Sequence, residues 1–240
     1  MRQSRVTTNT DLAGKYETET FDCLNPKSVV ICSHGNGVRR WDGEHFFYNV
    51  AEHFPDRAFL LVDQNQPYRD GCRLNSLQIM IDRVQGLIAK AVTDYPGVPI
   101  IVLGHSMGCG IAARLDLSRV NKVIFVAPAA GDTTQALIKR YGSDIIEGKT
   151  VQTTDGLTKD IPKEYVASVR GVIWEKEYEK LLTRFKSVYV FESGDEEIVG
   201  EERLQHRAMP FAEYKIMPGA KHNVVGAPLQ ALCQELAAFL

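Results

Sequence analysis

Gly104-His105-Ser106-Met107-Gly108 is the segment of this chain with the clearest chemical content. It directly follows the apolar run Val98-Pro99-Ile100-Ile101-Val102-Leu103, and a segment of helical character comes after it. A buried strand that turns sharply into a helix leaves the central serine hydroxyl exposed at the turn. The two glycines let neighbouring backbone pass where a Cβ would clash. Ser106 is therefore expected to be a nucleophile rather than a helix-capping serine. Its hydroxyl attacks poorly until a base takes its proton, and a third group must orient that base.

Of the six histidines, His206 and His222 follow the serine. His222 sits in Met217-Pro218-Gly219-Ala220-Lys221-His222-Asn223, a loop-like stretch after the strand-like Tyr214-Lys215-Ile216, and is the expected base. His206 falls in the charged stretch 201–207, which is expected to be helical with a solvated histidine. The strand-like Ser187-Val188-Tyr189-Val190-Phe191-Glu192-Ser193 precedes Gly194-Asp195-Glu196-Glu197-Ile198-Val199, which offers three adjacent carboxylates. Residue type favours Asp195 as the orienting acid, and Glu196 stays open beside it. Negative charge developing on a substrate needs hydrogen-bond donors. The glycine-rich Ser33-His34-Gly35-Asn36-Gly37, after the apolar Val29-Val30-Ile31-Cys32, can aim a backbone N–H into the crevice at the strand ends. The N–H of Met107 would be its partner.

These groups need a scaffold, and the composition allows one. A chain of 240 residues, 44% hydrophobic, can bury one sizeable core, so a single domain over 1–240 is expected. The net charge of −2 points to neither nucleic acid nor an anionic membrane as partner. No apolar run approaches the roughly 20 residues of a membrane span. The first eight residues lack the apolar core of a secretory signal. Five cysteines without metal-type spacing, with Cys32 in a core strand and Cys109 just past the serine turn, read as buried thiols of a reducing compartment. A cytoplasmic location is the expectation.

Residues 5–10 and 15–22 read as an edge hairpin around Asp11-Leu12-Ala13-Gly14. Short apolar strands follow at 29–32, 58–62, 100–103, 122–126, 188–191 and 212–217, between helical segments. Leu77, Ile81, Val84, Ile88, Ala91, Val92 and Tyr95 recur at three and four residues and predict an amphipathic helix. Such alternation predicts an α/β fold: a mostly parallel central sheet with helices on both faces. The rhythm breaks at about 129–183, where a hairpin around Asp155-Gly156 and helices over 163–170 and 174–185 predict a small cap insertion. Trp174 and Tyr178 either line a substrate pocket in this cap or pack it against the core.

With these landmarks the chain resembles the α/β-hydrolase-fold serine hydrolases, and within them the small cinnamoyl and feruloyl esterases. The likeness runs through Ser33-His34-Gly35, Gly104-His105-Ser106-Met107-Gly108, Ala127-Pro128-Ala129-Ala130, Glu196-Glu197-Ile198-Val199 and Lys221-His222. It implies Ser106, His222 and Glu196 as the catalytic triad, with the N–H groups of Asn36 and Met107 as the oxyanion hole. Glu196 falls where the family carries Asp; a one-residue loop shift would put Asp195 there instead. The implied reaction is hydrolysis of a small-molecule carboxylic ester through an acyl-enzyme, without metal or cofactor. The same triad serves thioesterases, lactonases and C–C bond hydrolases, and the fold also occurs as a non-catalytic scaffold.

Overall fold

The computed structural model describes residues 3–68, 70–152 and 156–240. The chain opens with an antiparallel hairpin, β1 (Arg5–Asp11) and β2 (Gly14–Phe21), followed by the buried strand β3 (Val29–Ser33). Helix α1 (Asp42–His53) leads to β4 (Ala58–Val62), and two three-residue strands come next, β5 (Gln66–Tyr68) and β6 (Gly71–Arg73). Helix α2 (Leu77–Asp94) precedes β7 (Ile100–His105), the short α3 (Met107–Ala112) and β8 (Lys122–Val126). The insertion carries α4 (Thr133–Tyr141), β9 (Lys149–Gln152), β10 (Thr158–Ile161), α5 (Lys163–Val169) and α6 (Trp174–Arg184). Then come β11 (Val188–Ser193), a 3-10 segment at Gly200–Ala208, β12 (Glu213–Met217) and α7 (Gly226–Leu236).

Eight strands form one sheet in the order β1-β2-β4-β3-β7-β8-β11-β12, parallel from β4 to β12 with the antiparallel hairpin at one edge. The central strands are mostly apolar and buried at nearly every position because both faces are covered. Val29 and Ile31 of β3, Ile100 and Val102 of β7, and Val123 and Phe125 of β8 face one core, which α2, α3 and α6 cover. Their neighbours Val30, Cys32, Ile101, Leu103, Ile124 and Val126 face a second core under α1 and α7. Each fully buried aliphatic or aromatic side chain contributes roughly 1.5–3 kcal/mol relative to exposure. The expected strands and the α2 periodicity are all present. The cysteines are all free, and Cys32 and Cys109 are buried as expected.

The cap departs from the expectation of a lone hairpin. Its arms are β9 and β10, antiparallel as anticipated, but Asp155 at the turn lies outside the described residues. Both strands belong to a four-stranded sheet, β5-β6-β10-β9, in which β6 pairs in parallel with β10. The cap is therefore built from two separate chain segments. It closes on itself where Asp132 bridges Ile173 and where the Glu175 carboxylate accepts from the Gly131 N–H at 2.9 Å. No helix among the described residues is long and apolar enough to cross a membrane.

Candidate active site

Strand β7 ends in His105, and the chain reverses at Ser106 with φ 56° and ψ −128°, a conformation an L-residue rarely adopts. Three main-chain hydrogen bonds hold this turn. The Ser106 N–H donates to Val126 O at 3.1 Å, while Ser106 O accepts from Cys109 at 3.0 Å and from Ala129 at 3.2 Å. Both motif glycines are required by close approach. A Cβ at Gly108 would lie 1.9 Å from the Ser33 carbonyl oxygen, and one at Gly104 would lie 2.8 Å from the Cys109 backbone.

The Ser106 Oγ lies 2.8 Å from His222 Nε2 and donates to it. The opposite nitrogen, Nδ1, donates to both Glu196 oxygens at 2.9 and 3.0 Å. Glu196 is itself fixed by accepting from the Ile198 and Val199 N–H groups at 2.7 and 3.0 Å. Burial raises its carboxyl pKa, but the His222 hydrogen bond and charge and these two N–H groups outweigh it, so the group is held below its ordinary value. The three side chains thus sit in one hydrogen-bonded line that can draw the proton from the serine hydroxyl.

The three adjacent carboxylates take different positions. Glu196 meets the imidazole with its side chain shut off from solvent; Glu197 accepts from the His222 main-chain N–H at 3.0 Å; Asp195 is exposed. The one-residue shift that would bring Asp195 to the imidazole does not occur. The acid loop and the base loop are laced together instead. Gly194 N–H donates to Met217 O, Asp195 N–H to Ala220 O, and the Ser193 hydroxyl to Lys221 O, at 3.0, 2.9 and 2.9 Å.

The glycine-rich loop after β3 lies against the serine: a Cβ on Gly35 would be 3.1 Å from that of Ser106. His34 faces inward, accepting at Nε2 from the Gln64 N–H at 3.0 Å and donating from Nδ1 to Gly35 O at 3.0 Å. Burial pushes its imidazole down to about 4, so it stays neutral. Asn36 and Met107 flank the serine from two different strand ends, with the Met107 N–H in the first helical turn, where no intrahelical acceptor exists.

Comparisons with known proteins bear on the family and the fold. A profile of the family described as serine aminopeptidase, S33 matches residues 25–170, more than half of the chain. The chain belongs to this α/β-hydrolase family. Structures of the α/β-hydrolase fold superpose over nearly the whole molecule. They include Est1E from Butyrivibrio proteoclasticus (TM-score 0.67, 15% identity, covering 98% of this chain and 96% of that one) and the Pyrococcus furiosus esterase Pf2001 (0.70, 16%, 99% and 90%). A monoacylglycerol lipase of Mycolicibacterium smegmatis is 33% identical over 103 residues, 40% of this chain and 34% of that protein. A monoglyceride lipase homologue of monkeypox virus is 33% identical over 94 residues, 36% and 32%. The matched segments span about a third of the length of these relatives.

One expectation about this hydrolase-fold chain is corrected by the structure, and one pair of alternatives is narrowed. His206 is not solvated. Its segment is helical, but the ring is fully buried, with Nδ1 donating to Glu192 at 2.9 Å and Nε2 3.7 Å from Glu175. Carboxylates distant in sequence converge on it from β11 and α6. Trp174 and Tyr178 do not face an open pocket; they are 2% and 0% exposed. Trp174 packs over Gly110, where a Cβ would lie 2.3 Å from the indole, and the Tyr178 hydroxyl donates to Ala129 O at 2.8 Å. Their role is packing the cap onto the core, the other alternative weighed above.

Sequence reasoning gave no role to His105, the second residue of the motif. Its Nε2 donates to the His222 main-chain carbonyl, and its ring stacks on Phe46 with centroids 5.1 Å apart. A polar, ring-bearing residue at the foot of a buried elbow was the available signal.

Proposed function

We propose that this chain is a serine hydrolase that cleaves small carboxylic esters, with Ser106 as nucleophile, His222 as general base and acid, and Glu196 as the orienting acid. The observation that carries this reading is the unbroken line from Ser106 Oγ through both nitrogens of His222 to Glu196. His222 takes the serine proton as Oγ attacks the ester carbonyl. The Asn36 and Met107 N–H groups stabilise the resulting oxyanion. The imidazolium then protonates the departing alcohol, and water releases the acyl group by the reverse sequence. Glu196 keeps the proton on Nδ1 and stabilises the imidazolium without itself being protonated. Membership of the hydrolase family and the partial likeness to monoacylglycerol lipases favour an ester over a thioester, lactone or C–C substrate.

The test is a panel of p-nitrophenyl esters of graded chain length, with monoacylglycerol, aryl ester, lactone and thioester substrates alongside. A fluorophosphonate probe should label the wild type and leave Ser106→Ala unlabelled. Labelling that persists in the alanine variant, or turnover confined to non-ester substrates, would reject the assignment.

A further inference from the structure

Tyr165 stands in α5 of the cap, yet its hydroxyl reaches both halves of the oxyanion site. It donates to Asn36 Oδ1 at 3.0 Å and lies 3.5 Å from Met107 Sδ. These two residues come from the ends of different strands, β3 and β7, so one cap atom joins two structures that are otherwise separate in the chain. We propose that Tyr165 is a positioning residue through which the cap holds the oxyanion hole in its working shape. The inference rests on the reading of the Asn36 and Met107 N–H groups as oxyanion donors.

The tether has a rigid base. Tyr165 is fully buried in the core under the cap. Its main-chain carbonyl accepts from the Ser168 hydroxyl at 2.7 Å, and the same hydroxyl accepts from the Leu77 N–H at 2.9 Å, which pins α5 to the start of α2. Burial raises the phenol's ionisation well above its ordinary range, so the hydroxyl remains a donor at any working pH. Packing alone would be served by phenylalanine, because a buried hydroxyl costs free energy unless it is hydrogen-bonded. The object being held has little stiffness of its own: Asn36 lies between Gly35 and Gly37, the latter at φ 62°. The cap also touches the loop at Gly37, where a Cβ would lie 2.7 Å from Lys159 Cδ.

The oxyanion exists only once the carbonyl carbon has become tetrahedral. Fixing the Asn36 peptide therefore lowers the barrier more than it strengthens substrate binding. The experiment compares Tyr165→Phe, Asn36→Ala and the double variant. Asn36→Ala removes the acceptor but keeps the main-chain N–H. Measured quantities are kcat, KM and the affinity for a trifluoromethyl ketone, whose adduct with serine carries the oxyanion. Each single variant should lower kcat and ketone affinity by about 10- to 100-fold with KM within about twofold. The double variant should be no worse than the worse single, since one contact is being removed twice. If Tyr165→Phe does not fold, Asn36→Ala breaks the same bond from the loop side and carries the test alone. A kcat or ketone affinity within twofold of wild type in the folded variants would overturn the proposal. A Ser106→Ala variant measured in parallel separates the two levels. If it is inactive while Tyr165→Phe is silent, only the tether fails; if it keeps its turnover, the reading of the site fails with it.

Discussion

The imidazole of His105 donates from Nε2 to the main-chain carbonyl of His222, 2.9 Å away, while its own ring lies beneath Gly35 and against Phe46. The residue next to Ser106 thus steadies the backbone that carries His222. Burial, with His222 beside it, pushes its pKa down to about 3, so it holds that carbonyl as a neutral donor. His105→Leu is expected to lower kcat about tenfold with little change in KM, since misplacing a reacting group slows the chemical step. His105→Gln, whose amide can donate, should recover part of the loss. Steady-state kinetics of both variants, with thermal melts to show that they fold, decide the matter; a fully active leucine variant counts against it.

Ser106 sits in a backbone conformation that glycine takes freely and other residues rarely adopt, a strain of order 1–3 kcal/mol. Ser106→Ala should lose roughly 10⁴- to 10⁶-fold in kcat with its melting temperature little changed. Ser106→Gly should be equally inactive but more stable, by about 1 kcal/mol after the entropy glycine adds to the unfolded chain. Calorimetry on the three proteins tests this. A glycine variant that melts below the alanine one would contradict the strain argument.

Glu196→Gln and Asp195→Asn each remove one charge at nearly constant volume. Glu196 contacts both the imidazole and two backbone N–H groups, whereas Asp195 is exposed. The glutamine variant should therefore have a kcat at least tenfold below that of the asparagine variant, with similar KM. Equal losses in the two would deny Glu196 a distinct role.

Stability should fall with acid well before the carboxylates titrate. His34 and His105 are held neutral, at about 4 and about 3 against an ordinary 6.5, both chiefly by burial. Below pH 6.5 the unfolded chain binds a proton on each that the native state refuses. Their contribution is complete above 6.5 and is lost as pH falls towards the native values. The expected slope is roughly 1.4 kcal/mol per pH unit for each histidine. Urea unfolding at pH 7, 6 and 5 measures it, and His105→Gln should halve the slope; a flat profile over this range would refute the linkage.

His206 and Glu192 form a pair with side chains 0% and 1% exposed. Removing one member leaves the other's charge or dipole buried without compensation, so His206→Ala should cost about 3–5 kcal/mol of stability. The folded fraction should keep its kcat, because the pair lies outside the Ser106–His222 line. Chemical denaturation and activity at low temperature separate the two effects.

The sheet was legible because parallel strands covered on both faces read as unbroken apolar runs, as at 29–32 and 100–103. The serine turn was legible because glycine spacing reports close backbone contact, and the structure shows those contacts at Gly104 and Gly108. What escaped depends on partners far along the chain. Gln66–Tyr68 and Gly71–Arg73 are too short to show a period, and they join a larger sheet through the pairing of β6 with the distant β10. His206 looked solvated because its neighbours Glu201, Glu202 and Arg207 are charged, while Glu175 and Glu192 arrive from elsewhere in the fold. Tyr165 carried no local mark of its contact with Asn36, 129 residues away.

The parallel pairing of β6 with β10 also sets an order of events during synthesis. Gly71–Arg73 must wait for Thr158–Ile161 to leave the ribosome, a delay of roughly 4 to 18 seconds at ordinary elongation rates. By then β3, β4, β7 and β8 are all available to pair, and the turn at Ser106 can form against Val126. His222 emerges later still, beyond β11 and β12. A nascent chain halted before it carries a serine in the right backbone shape but without a proton acceptor, and such a hydroxyl is chemically quiet. On the proposed reading of the site, reactivity is thereby withheld until the last strands of the sheet have been made.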